Sequence, residues 1–400
     1  MPTFQYTAKK KNAETVRGQL IADSKEAAVD KINQLGFIPV SVEEHHFSAE
    51  AKGAFHLKKV KPRVLYLFSR QLVNLLKAGV PILRTLEIIS SQMKDIYFQN
   101  VISIIHHGIR EGRSFSDCLL EFPNVFPSLY VMMVRVGEES GKLKETIADM
   151  ANHLKQQEEL SAKVRAAMTY PALMAVVGVG TLVFILTYVM PQMMGLFSGL
   201  DLPVPTVIVM KVSEALMRYW LWICAGLFFF AAVIQSWSKT RRAQMFISQM
   251  KIATPFLGIF WIKLEVSRFC RTLQLLLKNG ISIVRAIQLS IPIVGNELIR
   301  QELAKCQEDL VAGYSFGKSL KKTQLIPVLV GDLIAVGEES GSLSETLGDI
   351  SDSYEQDTNE SIKFMTTLLE PIMILLVGSI IGFVIIAMLL PIFQMDVFAR

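Results

Sequence analysis

Two pairs of adjacent glutamates are the residues of this chain best suited to chemistry. They lie in a segment that occurs twice, as V-G-E-E-S-G-K-L-K-E-T at Val136–Thr146 and V-G-E-E-S-G-S-L-S-E-T at Val336–Thr346. Nine of the eleven positions are identical at an offset of 200 residues. Paired carboxylates on an exposed turn can hold a divalent cation through their oxygens or bind a basic partner.

The same segment also has a purely structural interpretation. Gly137 can end one helix, Ser140 can cap the next, and glutamates in a first turn are favoured by the helix dipole. No Asp-rich loop of the EF-hand type accompanies the glutamates, so a capping turn and a partner surface are the main alternatives. The candidate partner-interface residues are Glu138, Glu139, Glu338 and Glu339, together with the repeated arginines Arg70 and Arg271.

Other patterns give no catalytic set. Gly313–Ser319 has three residues between its first glycine and the Gly-Lys pair, whereas a phosphate-binding P-loop needs four. We therefore expect a turn there, with Ser315 capping a short helix. The pairs His45-His46 and His106-His107 lack metal-ligand spacing, and no Ser-His-Asp or Cys-His arrangement is apparent. The sequence predicts no enzyme, no cofactor and no metal site.

The repeat extends well beyond the glutamate segment. Pro171 and Pro371 precede two uncharged runs that Pro191 and Pro391 close, again at an offset of 200 residues. Upstream the offset becomes 201 residues. The residues Phe68, Arg70, Leu72, Lys77, Gly79 and Arg84 correspond to Phe269, Arg271, Leu273, Lys278, Gly280 and Arg285. So long a period is not that of a solenoid; it indicates one domain with its membrane helix used twice.

Composition and apolar runs indicate a membrane protein. The 400 residues are 51% hydrophobic and 19% charged, and the mean hydropathy is positive. Three uncharged stretches are long enough to span a bilayer: Ala172–Met190, Tyr219–Trp237 and Ile372–Leu390. Four cysteines without close pairing are expected to be free thiols. Glu370, at the mouth of the third run, is expected at the interface, where a charge is tolerated.

The basic residues predict the orientation. Ser238–Lys263 holds Lys239, Arg241, Arg242, Lys251 and Lys263 without an acidic residue and should be cytoplasmic. Both copies of the repeated domain then lie on the cytoplasmic side, as a parallel repeat, with the N-terminus inside and the C-terminus outside.

We predict a mainly α-helical polytopic fold with a small N-terminal α+β module. The expected parts are a β-β-α-β module at 1–44, a linker at 45–62, a first cytoplasmic helical bundle at 63–171, a transmembrane helix at 172–190, an extracytoplasmic loop at 191–218, a transmembrane helix at 219–237, a second bundle at 238–371, a transmembrane helix at 372–390 and an extracytoplasmic tail at 391–400. Each bundle should contain about six helices, ending in a long one that runs into its span.

These features together resemble the polytopic inner-membrane platform family of type II secretion and type IV pilus assembly, called GspF and PilC. The resemblance covers essentially the whole chain. It rests on the N-terminal module, on the repeated F-x-R-x-L and V-G-E-E-S-G-x-L motifs, and on three spans in the order domain, span, span, domain, span. The Tyr170-Pro171 and Glu370-Pro371 junctions also match.

The resemblance implies a bacterial inner-membrane homo-oligomer that is not an enzyme. It would couple a cytoplasmic hexameric ATPase, with its adaptor, to the addition of pilin or pseudopilin subunits to a filament, and would not bind nucleic acid directly. The alternatives are a passive membrane scaffold and, with weaker support, a secondary transporter. Transporters usually have more spans, with broken helices and polar groups at mid-membrane.

Overall fold

The structure is a computed structural model. It describes residues 3–9, 15–21, 25–34, 37–44, 60, 62–194, 202–238, 240–255 and 257–398. Most of these residues are helical, and the expected mainly α-helical fold with two repeated domains is confirmed.

The N-terminal module has the predicted β-β-α-β order. Strands β1 (Thr3–Lys9), β2 (Thr15–Ile21) and β3 (Ile38–Glu44) form an antiparallel sheet in the order β2-β1-β3, and helix α1 (Lys25–Gln34) precedes β3. In this sheet Tyr6 of the central strand is opposite Gly18 on one side and Val42 on the other. The sequence also predicts Ser24 as the N-cap of α1 and Gly36 as the end of that helix; both lie outside the described residues, as does 45–59 of the expected linker.

Each bundle contains six helices, as the pattern predicts. In the first bundle they are α2 (Pro62–Lys77), α3 (Ile82–Gln92), α4 (Ile96–Arg110), α5 (Phe115–Leu120), α6 (Ser128–Glu139) and α7 (Leu143–Phe184). The turns follow local chemistry. Gly79 has a φ of 81°, a conformation that glycine adopts without strain, and it separates α2 from α3. The Asp95 carboxylate accepts from the amides of Tyr97 and Phe98 and so caps α4.

The second bundle repeats this order. After α7 come a π-helical turn (Ile185–Val189), α8 (Met190–Met194), α9 (Val204–Trp237) and α10 (Arg241–Ala253). The bundle helices are α11 (Leu257–Lys278), α12 (Ile283–Ser290) with a 3-10 turn (Ile291–Ile293), α13 (Glu297–Val311), α14 (Phe316–Leu320), α15 (Val328–Ser340) and α16 (Leu343–Phe398). The buried apolar side chains of both bundles form one continuous core.

Three helices of the described chain are long and apolar enough to cross a membrane. They are Leu143–Met193, which joins α7, the π-turn and α8, then Val204–Trp237, and Leu343–Pro391 within α16. The first and third each begin in a bundle and continue through an internal proline, Pro171 or Pro371, into an apolar run. Helices α10 and α11, taken together, also meet the criterion, but they bend by 113° and α11 carries core residues such as Phe269 of the second bundle.

The helices do not end where Pro191 and Pro391 close the uncharged runs. Helix α8 includes Pro191, and α16 continues past Pro391 to Phe398. A proline inside a helix leaves one carbonyl without its N–H donor. For Pro391 that carbonyl belongs to Ala387, four residues earlier, and it accepts from Thr206 Oγ1 of α9 at 2.5 Å.

At Pro191, too, a hydroxyl of α9 replaces the missing N–H donor, and the π-helical turn decides which carbonyl it reaches. The hydrogen bonds of this turn skip five residues, as in the bond from Met190 N to Ile185 O, so the carbonyl freed by Pro191 is that of Leu186. Leu186 O accepts from the hydroxyl of Ser213, also on α9. Thr206 and Ser213 are both fully buried. Hydroxyls of a neighbouring helix thus satisfy both carbonyls, a known way of tolerating proline in membrane helices.

Part of the connection predicted at 191–218 is helical, because 204–218 belongs to α9. Thr206, Val209 and Ser213 lie on one face of this helix and are buried against the ends of the first and third runs, which makes the stretch helical. The helix changes direction at Tyr219, whose φ and ψ are −116° and 16°. That kink coincides with the predicted start of the second span.

Helices α7 and α16 lie side by side in parallel and nearly in register with the repeat. Lys163 Nζ donates to Asn359 Oδ1 at 3.2 Å, and the Tyr170 hydroxyl donates to Glu370 Oε1 at 3.4 Å. Further along, Gly178 packs against the side chain of Val377. The equivalent residues Tyr170 and Glu370 therefore face each other where the helices enter the apolar runs, and a hydrogen bond joins them.

Candidate partner surface

The glutamate segment has a different structure from the one expected. Gly137 does not end α6, Ser140 does not cap the next helix, and Glu138 does not serve the first turn of α7. Helix α6 continues through Glu139, and the chain reverses at Gly141, whose φ is 68°. Glu138 points back to the N-terminus of α5, where its carboxylate accepts from Phe115 N at 2.6 Å and from Ser116 N at 2.9 Å.

The second copy builds the same cap with one bond more. Glu338 accepts from Phe316 N at 3.0 Å, from Gly317 N at 2.9 Å and from the hydroxyl of Ser315 at 2.6 Å. A carboxylate at a helix N-terminus satisfies amides that have no partner within the helix, and it is favoured by the helix dipole. The first glutamate of each pair therefore ties α6 to α5, or α15 to α14, and is half-buried.

The glycine and the threonine of the segment serve a second contact. A Cβ on Gly137 would overlap Thr146 Oγ1 of α7 and would lie 2.9 Å from Leu143 Cα. A Cβ on Gly337 would likewise lie only 2.7 Å from Thr346 Oγ1. Close approach of consecutive helices thus accounts for Gly and Thr in both copies, as the glutamate cap accounts for the first acid.

The second glutamate of each pair is exposed. Glu139 and Glu339 stand on the last turns of α6 and α15, and the nearest cation to Glu339 is Lys318 Nζ at 4.0 Å. An ion pair this loose between exposed groups contributes little stability. Of the paired glutamates, these two are the ones that remain available to a basic partner.

The two candidate arginines have unequal surroundings. Arg271 is largely buried and forms ion pairs with Asp352 and with Glu355, the latter at 3.2 Å. Arg70 is exposed and lies over the ring of Tyr66 at 5.6 Å. At the positions equivalent to Asp352 and Glu355, the first copy has Asn152 and Lys155. Arg70 therefore lacks the two acidic partners that Arg271 has. Arg70 is therefore the better candidate for an external partner.

A buried histidine beside Arg271 was not singled out from the sequence. His153 of α7 is 6% exposed, and its Nε2 lies 2.9 Å from Gln157 Nε2 while its Nδ1 has no hydrogen-bond partner. Burial, and secondarily the charge of Arg271, lowers the pKa of His153 to about 4. Only its position on the buried face of α7, with Ile147, Met150 and Leu154, could have indicated this.

The remaining motif predictions can be compared directly with the structure. Ser315 caps α14, with its Oγ accepting from Lys318 N at 3.4 Å, and Gly313 forms the preceding turn with a φ of 92°. The cap predicted in place of a P-loop is confirmed. Within the part of the chain that is described, no group of three His, Cys, Asp or Glu residues is placed to hold a metal ion.

Comparison with known proteins agrees with this architecture. The family model described as "Type II secretion system (T2SS), protein F" matches residues 68–191 and again 269–391, the two copies of the repeat. The model described as "Type II secretion system protein F, N-terminal domain" matches residues 1–43. The chain belongs to the type II secretion system protein F family.

Relatives of this protein F family member come from two kinds of machinery. It is 29% identical to the type IV pilus assembly protein PilC of Myxococcus xanthus, over 98% of this chain and 94% of the relative. It is 30% identical to PilC of Thermus thermophilus, over 98% of both chains, and 25% identical to the type II secretion system protein F of Vibrio cholerae, over 99% of both. The suspected GspF and PilC family is therefore confirmed, and this is a membrane protein of that family.

Proposed function

We propose that this chain is the inner-membrane platform that couples a cytoplasmic assembly ATPase to the insertion of pilin or pseudopilin subunits into a filament. The observation that carries the proposal is the match of both bundles, each with its span, to protein F, together with near full-length similarity to pilus assembly and secretion proteins. The platform is a homo-oligomer and acts mechanically, without a catalytic site of its own.

The architecture supports this mechanical role. Each long helix, α7 and α16, begins in a bundle and continues into an apolar run without a break. A displacement of the bundle is therefore transmitted along the helix to the span. Spans so moved can displace the apolar helix of a pilin lying against them. The basic segment between the second and third runs supports a cytoplasmic position for both bundles.

Co-purification tests the proposal. Tagged full-length chain is extracted from membranes in mild detergent, and co-purifying chains are identified by mass spectrometry. We expect a secretion-type ATPase or its adaptor, together with pilin-like subunits, whose identity also decides between secretion and pilus assembly. A clean oligomer without either partner, from cells that express both, would instead favour a passive scaffold.

A second experiment tests the partner surface. Glu139→Lys with Glu339→Lys reverses the exposed acids and leaves the Glu138 and Glu338 caps intact. We expect lower ATPase or adaptor recovery at unchanged thermal stability, and a similar loss for Arg70→Glu. The control is Glu308→Lys, an exposed carboxylate on α13. Unchanged recovery in every variant would remove these residues from the interface without affecting the family assignment.

A further inference from the structure

The two bundles contact each other asymmetrically. Helices α11 and α12 of the second bundle lie against α7 and α6 of the first. Lys278 Nζ donates to Asp149 Oδ1 at 3.0 Å, and Asn279 Nδ2 donates to Oδ2 of the same carboxylate at 3.1 Å. The reverse packing, with α2 and α3 of the first bundle on α16 and α15 of the second, is absent from the substantial helix contacts of the described chain.

This asymmetry leaves one apolar helix face uncovered. Leu129 on α6 is 7% exposed, whereas its equivalent Leu329 on α15 is 61% exposed. Met133 is fully buried, whereas its equivalent Leu333 is 39% exposed. A third position repeats the contrast, and the spacing i, i+4, i+7 puts all three on one side of the helix. The α15 face consists of Leu329, Leu333 and Val336.

The first bundle carries the surface that would cover this face. Helix α3 has apolar residues at most of the positions where α12, the helix lying on α6, has them; the exception is Thr85, the equivalent of Ala286. The equivalent pairs that are at least partly exposed are Ile82 and Ile283, Leu83 and Val284, and Ile88 and Leu289.

Both charges of the internal ion pair are also repeated. Lys77 is the equivalent of Lys278, and Asp349 is the equivalent of Asp149. Both Lys77 and Asp349 are exposed, and within the described part of the chain no ion pair involves either of them. The apolar surface and the charges therefore match in the same orientation.

We propose that a second copy of this chain covers the α15 face, with its α2 and α3 placed as α11 and α12 are placed on the first bundle. Asp349 of one chain then pairs with Lys77 of the next. Such an interface is heterologous, because each chain contributes a different surface at each end, and its repetition gives a ring or an open array. Ala78 stands where Asn279 donates its hydrogen bond, so the contact between chains is weaker than the internal one.

The proposal deepens the homo-oligomer of the proposed function, and cross-linking tests it directly. Two differently tagged full-length chains, carrying Lys77→Cys and Asp349→Cys, are co-expressed in a Cys224→Ala background and treated in membranes with a short bis-maleimide. Cys118, Cys270 and Cys306 are buried, and burial raises the pKa of each thiol, to about 12 for Cys270, so they react slowly.

We expect co-expression of the two variants to give the cross-linked dimer, and either variant expressed alone to give none. Products from Lys77→Cys alone or Asp349→Cys alone would show a symmetric interface and overturn the proposal. So would an oligomer for which co-expression of the two variants gives no product. In that last case the platform function would still stand, since oligomerisation would have been observed through another surface.

Substitution of the face gives an independent measure. Leu333→Asp places a carboxylate in the contact and should weaken association at least about tenfold, whereas Val311→Asp, at an exposed apolar site on α13, should not. Asp349→Lys should weaken association roughly twofold to fivefold, and Lys77→Glu in the same chain should restore it. Mass photometry of the purified chain over a dilution series measures each change. Equal effects of Leu333→Asp and Val311→Asp would contradict the interface.

Discussion

At the residue scale, Glu138 and Glu338 show how a motif can be conspicuous for structural reasons. Each carboxylate accepts amide hydrogens from the first turn of a helix that precedes it by more than twenty residues. Charge-assisted hydrogen bonds of this kind are stronger than bonds between neutral groups. The identity of these glutamates in both copies therefore needs no ligand, whereas Glu139 and Glu339 have no such internal role.

Substitution should distinguish the capping glutamate, Glu338, from its exposed neighbour, Glu339. Glu338→Gln replaces a carboxylate that accepts hydrogen bonds on both oxygens with an amide, so that an NH2 group faces hydrogen-bond donors. We expect the second bundle to lose about 1–3 kcal/mol of unfolding free energy. Glu339→Gln, at the exposed neighbour, should change stability by less than about 0.5 kcal/mol. Thermal denaturation of the detergent-solubilised chain measures both. Equal shifts for the two variants would mean that the cap adds nothing to stability.

His153 should make stability depend on pH. Its pKa is lowered to about 4 in the folded chain, against 6.5 ordinarily, so between these values the unfolded chain binds more protons. Stability should therefore be complete above pH 6.5 and fall as the pH drops towards 4, by at most on the order of 3 kcal/mol. Melting temperatures at pH 7.5 and 5 measure the effect. His153→Gln should remove this part of the slope, and an unchanged slope would assign it to other groups.

At the element scale, α9 depends on two hydroxyls that repair proline breaks in its neighbours. Thr206 and Ser213 are spaced seven residues apart, on one face of α9, and reach Ala387 O and Leu186 O. Each of these carbonyls lost its donor to a proline of the repeat. The duplicated prolines thus leave one acceptor in each copy, and α9, which occurs once within the described residues, supplies a donor to both.

Removing these hydroxyls should loosen α9. Thr206→Val and Ser213→Ala each leave a buried carbonyl without a donor and should cost about 0.6–2 kcal/mol, the range for hydrogen bonds between membrane helices. Thr181→Val is the matched control, because Thr181 donates to Val177 of its own helix, where the carbonyl has a backbone donor as well. Thermal stability in mild detergent measures all three. A control effect as large as the others would refute the proposed repair.

The elements that sequence could predict are those with a strong local signal. Gly79, Asp95, Ser114 and Pro127 mark helix boundaries through backbone freedom or capping, and the structure places boundaries at each. The repeat correctly predicted two bundles. The path of 204–218 and the partner of Glu138 could not be predicted, since both depend on helices distant in sequence. The continuation of the helices past Pro191 and Pro391 could not be predicted for the same reason, because α9 supplies hydroxyl donors to the carbonyls that these prolines leave without an N–H donor.

At the scale of the whole molecule, the two copies of the repeat keep the same order of helices but differ in their charged contacts. Helices α7 and α16 still meet in register at Tyr170 and Glu370, yet Arg271 has two acidic partners and Arg70 has none. The second bundle presents α11 and α12 to the first, and no comparable contact of α2 and α3 with the second bundle is among the substantial helix contacts of the described chain.

The proposed orientation predicts opposite accessibility for two engineered cysteines. In a Cys224→Ala background, Asp396→Cys at the far end of α16 should react with a membrane-impermeant maleimide in intact spheroplasts. Lys142→Cys, exposed on the first bundle, should react only after the membrane is broken. Gel-shift labelling measures both. The opposite pattern would invert the topology, and labelling of both cysteines before lysis would place the bundle and the C-terminal end on one side.

The length of α16 has a geometric consequence. Its 56 residues form a rod about 84 Å long, with the second bundle packed around one end and the apolar run at the other. Because the apolar run is held in the bilayer, we expect the rod to pivot where it enters the membrane, near Pro371. A swing of the bundle to one side then carries Phe398, at the far tip, to the other.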